Sequence, residues 1–285
     1  MISEEQFQKE LNLIIQNGIR EDIGPGDYSS LASIPESAIG RAKLLVKDNG
    51  IIAGVAFAKM IFENVDPTLV IETFIQDGTR VKHGDIVFHV SGSSQSILKA
   101  ERLVLNSMQR MSAIATKTNQ YVKLLEGTKT KILDTRKTTP GFRACEKWAV
   151  KIGGGVNHRF GLFDQILIKD NHIKAAGDIK NAIESCINYL DANNLQIPVI
   201  VEVKNLEEFN CIKNYEIVDR ILVDNFKPEE IIELIKHNTT NKTIEASGGI
   251  NATNIVDYAK TGIHYVSLGD LTHHVNSIDI SLKII

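Results

Sequence analysis

The chain contains few cysteines, no long apolar segment and no excess of basic residues. Cys145, Cys186 and Cys211 are far apart and form no CxxC pair, so we expect neither a structural zinc site nor a disulfide framework, and a reducing cytoplasm suits them. No apolar run approaches the roughly 20 residues that a membrane-spanning helix needs. Residues 1–24 are acidic and amphipathic and lack the basic start and apolar core of a signal peptide.

The net charge is −3, from 32 Lys and Arg against 35 Asp and Glu among 285 residues. This balance argues against general binding to nucleic acids or membrane surfaces. Hydrophobic residues make up 43% of the chain and charged residues 24%, which excludes a disordered or low-complexity protein. The length fits one large domain or two modest ones. We therefore expect a folded cytoplasmic protein whose partners are neither nucleic acids nor membranes.

The pattern of apolar residues changes near residue 96. Between about 40 and 95, short alternating apolar runs flank Asp77-Gly78 and Gly84-Asp85, a pattern typical of β-hairpins. From about 96 to 126 the apolar residues follow helical spacing. A possible break near Ser112 leaves open whether this segment is one helix or two.

Beyond residue 130, β-branched apolar runs alternate with amphipathic segments. That rhythm predicts a parallel sheet covered by helices, as a complete or incomplete α/β barrel or, alternatively, a doubly wound open sheet. No GxGxxG follows the first strand, which weakens a dinucleotide-binding version. Pro228 fits a first helical turn and Asn251 an N-cap. The predicted strands are 131–136, 165–170, 198–203, 220–225, 243–247 and 265–269, and the predicted helices are 143–152, 179–194, 206–215, 228–238 and 251–262.

Positive charge is concentrated in one segment. Residues 131–174 hold nine Lys and Arg against four Asp and Glu, a net charge of +5. In an α/β barrel the carboxyl ends of the strands meet at one mouth, so polar residues there should converge, although each alone reads as a solvated loop residue. These residues are Asp134, Arg136, Lys137, Lys169, Asp170, Glu202, Lys204, Asp224, Ser247, Gly248, Gly249, Gly269 and Asp270, together with His158 and Arg159 in the loop before the second strand.

The residue types at these strand ends indicate an anionic ligand. Arginine binds carboxylates with two parallel hydrogen bonds, and lysine serves phosphate as a compact charge. The glycine turns at 247–249 and 268–270 follow the last two strands, where barrels commonly bind phosphate. Glu202 and Asp224 would face hydroxyls, a developing cation or a metal. The predicted ligands are a polycarboxylate and a phosphorylated sugar, and no nucleophile is evident. Arg143, Lys147 and Lys151 are expected to be surface charges on the intervening helix.

The run ILDTRKTTPGFRACEKWAVKIGGGVNHRFGLFDQILIKDNHI, residues 132–173, resembles the signature of the quinolinate phosphoribosyltransferase family. The segments EDIGPGDYSS, ERLVLNSMQRMSAIAT, VEVKNL, ILVDNF, EASGGI and SLGDLTHHVNSIDISL are similar to the same family, in order along nearly the whole chain. The resemblance implies an N-terminal α/β sandwich domain at 1–112 and an incomplete, seven-stranded-type α/β barrel at 113–270. Residues 271–285 would form a tail that returns to the N-terminal domain.

The resemblance also implies an activity. Quinolinate and 5-phosphoribosyl 1-pyrophosphate would be converted with Mg²⁺ to nicotinate mononucleotide, pyrophosphate and CO₂, a step of NAD synthesis that needs no organic cofactor. The family forms homodimers, sometimes hexamers, in which the partner's N-terminal domain caps each barrel mouth. Two alternatives remain: a phosphoribosyltransferase acting on nicotinate, which needs only one carboxylate clamp, and a non-catalytic relative that binds an anion.

By position, the resemblance assigns a role to each strand-end residue. Arg136, His158, Arg159 and Lys169 match residues around the quinolinate carboxylates, and Arg102 matches an arginine donated across the dimer interface. Lys137 matches a lysine near the substrate and pyrophosphate, and Glu202 and Asp224 match acids near the ribose and its Mg²⁺. The 5′-phosphate site is matched by Ser247, Gly248, Gly249, Leu268 and Gly269. Asp270 departs from the family pattern, because an acid beside a phosphate is unfavourable unless it turns away.

Overall fold

The computed structural model describes residues 2–285, which divide into two units. The N-terminal unit comprises residues 3–120, 137–155 and 271–285, and the parallel-sheet unit comprises 121–136 and 156–270. No helix within residues 2–285 is both long and apolar enough to cross a membrane. The elements in chain order are α1 (Glu4–Asp22), α2 (Tyr28–Ser33), β1 (Ile39–Val46), β2 (Gly50–Ile51), α3 (Val55–Val65), β3 (Val70–Thr73), β4 (Arg80–Val81), β5 (Ile86–Ser93), α4 (Ser94–Leu124), β6 (Lys131–Leu133), α5 (Arg143–Ile152), β7 (Ile166–Ile168), α6 (Asp170–Ala176), α7 (Ile179–Ala192), β8 (Val199–Val203), α8 (Leu206–Ile212), β9 (Val218–Asp224), α9 (Pro228–His237), β10 (Thr243–Ser247), α10 (Ile255–Lys260), β11 (Tyr265–Ser267), α11 (Asp270–His273) and β12 (Ile280–Ile284).

The N-terminal unit is built on an antiparallel sheet in the order β12-β1-β5-β3. Along β1, the residues Ala42, Leu44 and Val46 are buried and alternate with more exposed ones, which gives the sheet one apolar face. Phe88 of β5 meets Phe62 of α3 edge-to-face at 6.0 Å. The helix α3 therefore packs on this sheet, and β12, from the C-terminal tail, pairs antiparallel with β1.

The prediction of hairpins at Asp77-Gly78 and Gly84-Asp85 is wrong, because the strands that flank each turn do not pair with each other. β4 lies between these two turns and pairs with β2, whereas β3 and β5 belong to the larger sheet. Asp77 has a different local role, because its carboxylate accepts the N–H groups of Val55 and Ala56 at 2.8 and 3.1 Å. It caps the start of α3, where Gly54 offers no side chain to do so.

The segment around Ser112, which the sequence left open as one helix or two, is a single helix of 31 residues, α4. The Ser112 hydroxyl accepts the N–H of Ala53 at 2.9 Å and lies 3.1 Å from the carbonyl oxygen of the same residue. The serine therefore ties α4 to the segment after β2 instead of interrupting the helix.

The parallel-sheet unit confirms the predicted alternation of strands and helices. Six parallel strands lie in the order β6-β11-β10-β9-β8-β7, and Val156 adds a single parallel bridge to Leu133 of β6. Every residue of β8 is buried, as expected for a parallel strand covered on both faces. Closure of this sheet into a barrel and the domain boundaries at 112 and 270 stay predictions.

Pro228 does begin α9. Asn251 is not an N-cap: α10 begins at Ile255 after Asn254, and the Asn251 side chain instead accepts the N–H of Thr253 at 2.9 Å in a local turn. Lys147 is not a surface charge, because it lies on the buried side of α5 and is only 2% exposed.

Candidate active site

Several of the predicted strand-end residues share one face of the parallel sheet. Residues paired across parallel strands point the same way, and side chains alternate between faces along each strand. Leu222 pairs with both Glu202 and Glu245, and Asp224 pairs with Ser247, so these residues lie on the same face. The opposite face is apolar and buried: Val201, Val203, Ile221, Val223, Ile244, Ala246 and Val266.

Glu202, on this face of the sheet, is buried. Its Oε1 accepts the N–H of Asp170 at 3.2 Å, and its Oε2 lies 3.8 Å from Nζ of Lys169. Lys169 stands two residues beyond Leu167, which contacts Ile200 and Leu222 in an apolar cluster on this face. The lysine side chain is half exposed. The geometry places a cation and a carboxylate together, just beyond an apolar floor.

Asp170 and Lys204, also predicted at strand ends, contact each other. The pKa of Asp170 is lowered, first by a hydrogen bond from Lys174 and then by one from Lys204. Asp170 therefore pairs with neighbouring lysines, and its backbone, not its carboxylate, contacts Glu202.

The charges of two predicted guanidinium groups, those of Arg159 and Arg136, influence each other. Arg159 is buried, and its Nη1 donates to the carbonyl oxygen of Gln165 at 3.2 Å. Burial lowers the pKa of Arg159, and the positive charge of Arg136 lowers it further, whereas Asp164 opposes both effects. Arg136 is exposed. A bound anion would offset the repulsion between these two cations, so the pair is suited to bind a carboxylate.

His158 is held on both sides of its ring. Its backbone N–H donates to the buried Asp134 at 2.7 Å. Its Nδ1 accepts the N–H of Arg159 at 2.7 Å, so the ring proton is assigned to Nε2, which lies 3.4 Å from Oε1 of Glu245. Through these contacts, His158 fixes the backbone of the loop that contains Arg159.

Glu245 is the functional-site residue that the sequence did not single out. It is fully buried and accepts hydrogen bonds from Nη1 of Arg220 at 2.9 Å and from the hydroxyl of Ser267. Arg220 also stacks over the ring of Tyr265, 4.5 Å from its centroid. The sequence signal was present, since Glu245 and Arg220 are charged residues inside strands, but their pairing is visible only once β9 and β10 are adjacent.

The two predicted glycine turns differ in how they are held. Gly248 and Gly249 have φ values of +92° and +62°, in the left-handed region where other residues are strained. In the second turn, the N–H of Leu268 donates to the carbonyl oxygen of Leu133 at 3.0 Å. Asp270 accepts a hydrogen bond from the Tyr121 hydroxyl at 2.8 Å. Burial and that bond raise the pKa of Tyr121 to about 12.

Lys137 and Arg102 lie in the N-terminal unit. Both side chains are exposed, Arg102 on α4 and Lys137 in the loop before α5. The backbone around Lys137 is fixed by a ring of contacts, because the Thr272 hydroxyl donates to the Lys137 carbonyl at 2.7 Å and the Thr272 carbonyl accepts from Arg110. Arg110 in turn pairs with the buried Glu146 at 2.9 Å.

Glu146 completes this ring by accepting the N–H and hydroxyl of Thr139, at 3.2 and 2.7 Å. Arg143 adds a bond from its Nε to the Thr138 hydroxyl at 2.9 Å. The residues that follow Lys137 are thus anchored to α5, which explains why Arg143 is not a free surface charge.

Two family models match the chain: "Quinolinate phosphoribosyl transferase, N-terminal domain" over residues 27–112 and the corresponding "C-terminal domain" over residues 114–283. The quinolinate phosphoribosyltransferase [decarboxylating] 2, mitochondrial, of Nicotiana glauca is 42% identical, with 96% of this chain and 82% of that protein aligned. The probable nicotinate-nucleotide pyrophosphorylase [carboxylating] of Bacillus subtilis is 38% identical over 96% and 93%. The solved structure of the nicotinate-nucleotide pyrophosphorylase from Francisella tularensis is 38% identical, with a TM-score of 0.88 over 97% of this chain and 96% of that one.

Replacing Glu245 by glutamine tests the buried ion pair. Burial raises the pKa of Glu245, but the hydrogen bond from His158 and the charge of Arg220 outweigh it, so the pKa is lowered in the folded state. A lowered pKa stabilises the fold above the unfolded value near 4.5 and ceases to do so as pH falls. We expect Glu245→Gln to lower the free energy of unfolding by about 3–5 kcal/mol at pH 7.

The measurement is urea unfolding of both proteins at pH 7 and at pH 4. The gap between them should narrow at the lower pH, because the unfolded-state carboxylate of the wild type then binds protons that the folded-state carboxylate, with its lowered pKa, does not. Glu233→Gln is the matched control, since that carboxylate is exposed and its pair with Lys236 is worth at most about 1 kcal/mol. A pH-independent gap would contradict the prediction.

Proposed function

The chain belongs to the quinolinate phosphoribosyltransferase family, and on that premise we propose how its own residues carry out the reaction. The enzyme transfers the phosphoribosyl group of 5-phosphoribosyl 1-pyrophosphate to quinolinate with loss of a carboxyl group. The products are nicotinate mononucleotide, pyrophosphate and CO₂, in the synthesis of NAD. The observation that supports the residue assignments best is that Glu202, Asp224 and Ser247 share one face of the parallel sheet, with Nζ of Lys169 lying 3.8 Å from Oε2 of Glu202.

Quinolinate carries two adjacent carboxylates, so a dicarboxylate clamp is needed. We assign Arg136 and Arg159 to these groups because an anion between them relieves their repulsion. Lys169, half exposed beside Glu202, supplies a third cation. His158 contributes by holding the backbone of Arg159. Nicotinate has one carboxylate and would leave part of this clamp unpaired.

The phosphoribosyl group is assigned to the two glycine turns. Left-handed glycines at 248 and 249 turn the chain sharply after Ser247, and such turns can present backbone N–H groups to phosphate. Leu268 and Gly269 form the second turn, and Asp270 is bonded to Tyr121, which accounts for its compatibility with a nearby phosphate.

Departure of pyrophosphate from C1 of the ribose builds positive charge on the sugar. We propose that Glu202 and Asp224, on one face of adjacent strands, stabilise this charge directly or through the ribose hydroxyls. Lys137 offsets the charge of the leaving pyrophosphate. The pyridine nitrogen of quinolinate then bonds to C1. When the adjacent carboxylate leaves as CO₂, its electron pair stays on the ring carbon, stabilised by the quaternary nitrogen, and a proton from water then takes the place of the carboxylate. Holding the two substrates in line can supply roughly 7–11 kcal/mol of the barrier.

The carboxylates of Glu202 and Asp224 fit Mg²⁺ only if the substrate supplies further ligands to the metal. Within residues 2–285 no group of three or more His, Cys, Asp and Glu could hold a metal ion. Mg²⁺ typically uses one or two carboxylates together with substrate phosphates. Glu202 and Asp224 would supply the protein oxygens, and the bound ion would neutralise pyrophosphate charge. We propose no organic cofactor.

We further propose a homodimer, or a hexamer, in which Arg102 completes the quinolinate clamp of a partner subunit. Its exposed position on α4 is compatible with this role. A cytoplasmic location is also proposed, since Cys145, Cys186 and Cys211 are free thiols, which a reducing compartment preserves. The names of plant relatives place those proteins in mitochondria or chloroplasts.

The proposed reaction is tested directly with the purified protein, quinolinate, 5-phosphoribosyl 1-pyrophosphate and Mg²⁺. We expect CO₂ and nicotinate mononucleotide in equal amounts. Nicotinate in place of quinolinate should give a kcat/KM at least tenfold lower, because one guanidinium then lacks its carboxylate. Equal use of both acids would overturn the dicarboxylate assignment.

Removing the carboxylate of Glu202 should slow turnover more than it weakens quinolinate binding. We expect Glu202→Ala to lower kcat by about 100-fold or more, in the range seen for lost transition-state electrostatics. Glu202→Gln should lose nearly as much, although its amide oxygen can still accept the N–H of Asp170. Glu207→Ala, an exposed acid on α8, is the control. A change confined to KM would contradict the proposed role.

Arg136→Lys keeps the charge and removes the two-bond geometry of the guanidinium. Quinolinate affinity, measured by calorimetry, should fall at least tenfold, about 1.4 kcal/mol. Arg80→Lys, an exposed arginine on β4, should leave the affinity unchanged. Unaltered binding by Arg136→Lys would show that this arginine holds no carboxylate.

A further inference from the structure

Asn225, to which the site predictions above give no role, lies between two parts of the candidate site. It directly follows Asp224 at the end of β9 and has a φ of +59°. This left-handed conformation is uncommon outside glycine, and asparagine adopts it more readily than most residues. The chain therefore turns sharply as soon as it leaves Asp224.

The backbone of Asn225 extends the pairing of β9 with β10. The last register pair is Asp224 with Ser247, and the N–H of Asn225 then donates to the carbonyl oxygen of Ser247 at 2.8 Å. This bond fixes the point at which the turn through Gly248 and Gly249 leaves the sheet.

The side chain of Asn225 contacts both neighbours. Its Nδ2 donates to Oδ2 of Asp224 at 2.8 Å. The rest of the amide packs against Gly248: a β-carbon on that glycine would collide with Oδ1 of Asn225 and lie 2.7 Å from its Cγ. The hydrogen bond occupies one carboxylate oxygen of Asp224. Because the same amide also packs against Gly248, it fixes the position of the carboxylate relative to the glycine turn.

We infer that Asn225 is a positioning residue that couples the Asp224 carboxylate to the 247–249 turn, so that the acid and the phosphate site hold one ribose phosphate together. This inference rests on the proposed function, which assigns Asp224 to the ribose and the turn to its 5′-phosphate. A structural role alone would need only the left-handed backbone and the N–H, both of which glycine supplies. The coupling needs the amide side chain.

Two variants separate these roles. Asn225→Gly keeps the backbone conformation and the N–H but removes the link to Asp224. Asn225→Asp keeps the size and the tolerance of positive φ, but replaces the donor by an oxygen that repels Asp224. Asn241→Gly is the matched control, because Asn241 is also left-handed, with a φ of +52°, and lies in the exposed turn before β10.

The experiment measures steady-state kinetics with both substrates varied, and calorimetric binding of 5-phosphoribosyl 1-pyrophosphate with Mg²⁺ and of quinolinate. Both Asn225 variants should lower kcat/KM for 5-phosphoribosyl 1-pyrophosphate at least tenfold, and Asn225→Asp should lose more than Asn225→Gly. Quinolinate affinity should stay within twofold of the wild-type value. The thermal unfolding midpoint should stay within a few degrees of wild type. We expect the same of Asn241→Gly.

Wild-type kinetics in Asn225→Gly would overturn the inference, since the backbone alone would then suffice. Equal losses for both substrates together with a lowered unfolding midpoint would overturn it as well. A wild-type protein that makes no nicotinate mononucleotide would defeat the proposed function. In that case, weaker binding of 5-phosphoribosyl 1-pyrophosphate by Asn225→Gly than by wild type would still support the coupling.

Discussion

The parallel register of β7 to β11 is the constraint on which the candidate site depends. Because side chains in this register alternate between two faces, the same strands that bury Val201, Ile221 and Ile244 on one face must present Glu202, Asp224 and Ser247 on the other. A shift of one residue in any strand would exchange the two faces and bury a carboxylate against the helices. Apolar packing therefore fixes the positions of the polar groups.

The charges on this face are arranged by depth. Arg136 and the half-exposed Lys169 are near solvent, Glu202 is buried beside Lys169, and Glu245 is buried completely with Arg220. The deepest carboxylate is neutralised by the protein itself, so it can support His158 without attracting a ligand. The positive charges of Arg136 and Lys169, nearer solvent, are not fully neutralised by buried carboxylates, and these residues are therefore suited to bind anions. Depth thus separates the charges that stabilise the fold from those assigned to bind substrate.

Much of this site could be predicted because strand ends can be located from local sequence. Lys169, Glu202, Asp224 and Ser247 each follow an apolar run, and the parallel topology brings the ends of such runs to one edge. Glu245 and Asn225 escaped prediction because their importance depends on partners distant in sequence, namely Arg220, His158 and Gly248. Asp77 escaped for a related reason: its dipeptide signals a turn, but its carboxylate caps a helix 22 residues earlier.

Pairing of β12 with β1 has a consequence for how the protein is made. The first strand of the N-terminal sheet acquires one of its two neighbours only from residues 280–284, at the far end of the chain. During synthesis, that edge of β1 stays exposed while the parallel-sheet unit is completed. Contacts of such long sequence separation form slowly, and an unpaired strand edge is open to association with other chains. Pairing of β12 with β1 therefore removes the risk of association with other chains, which exists from the time β1 is synthesised.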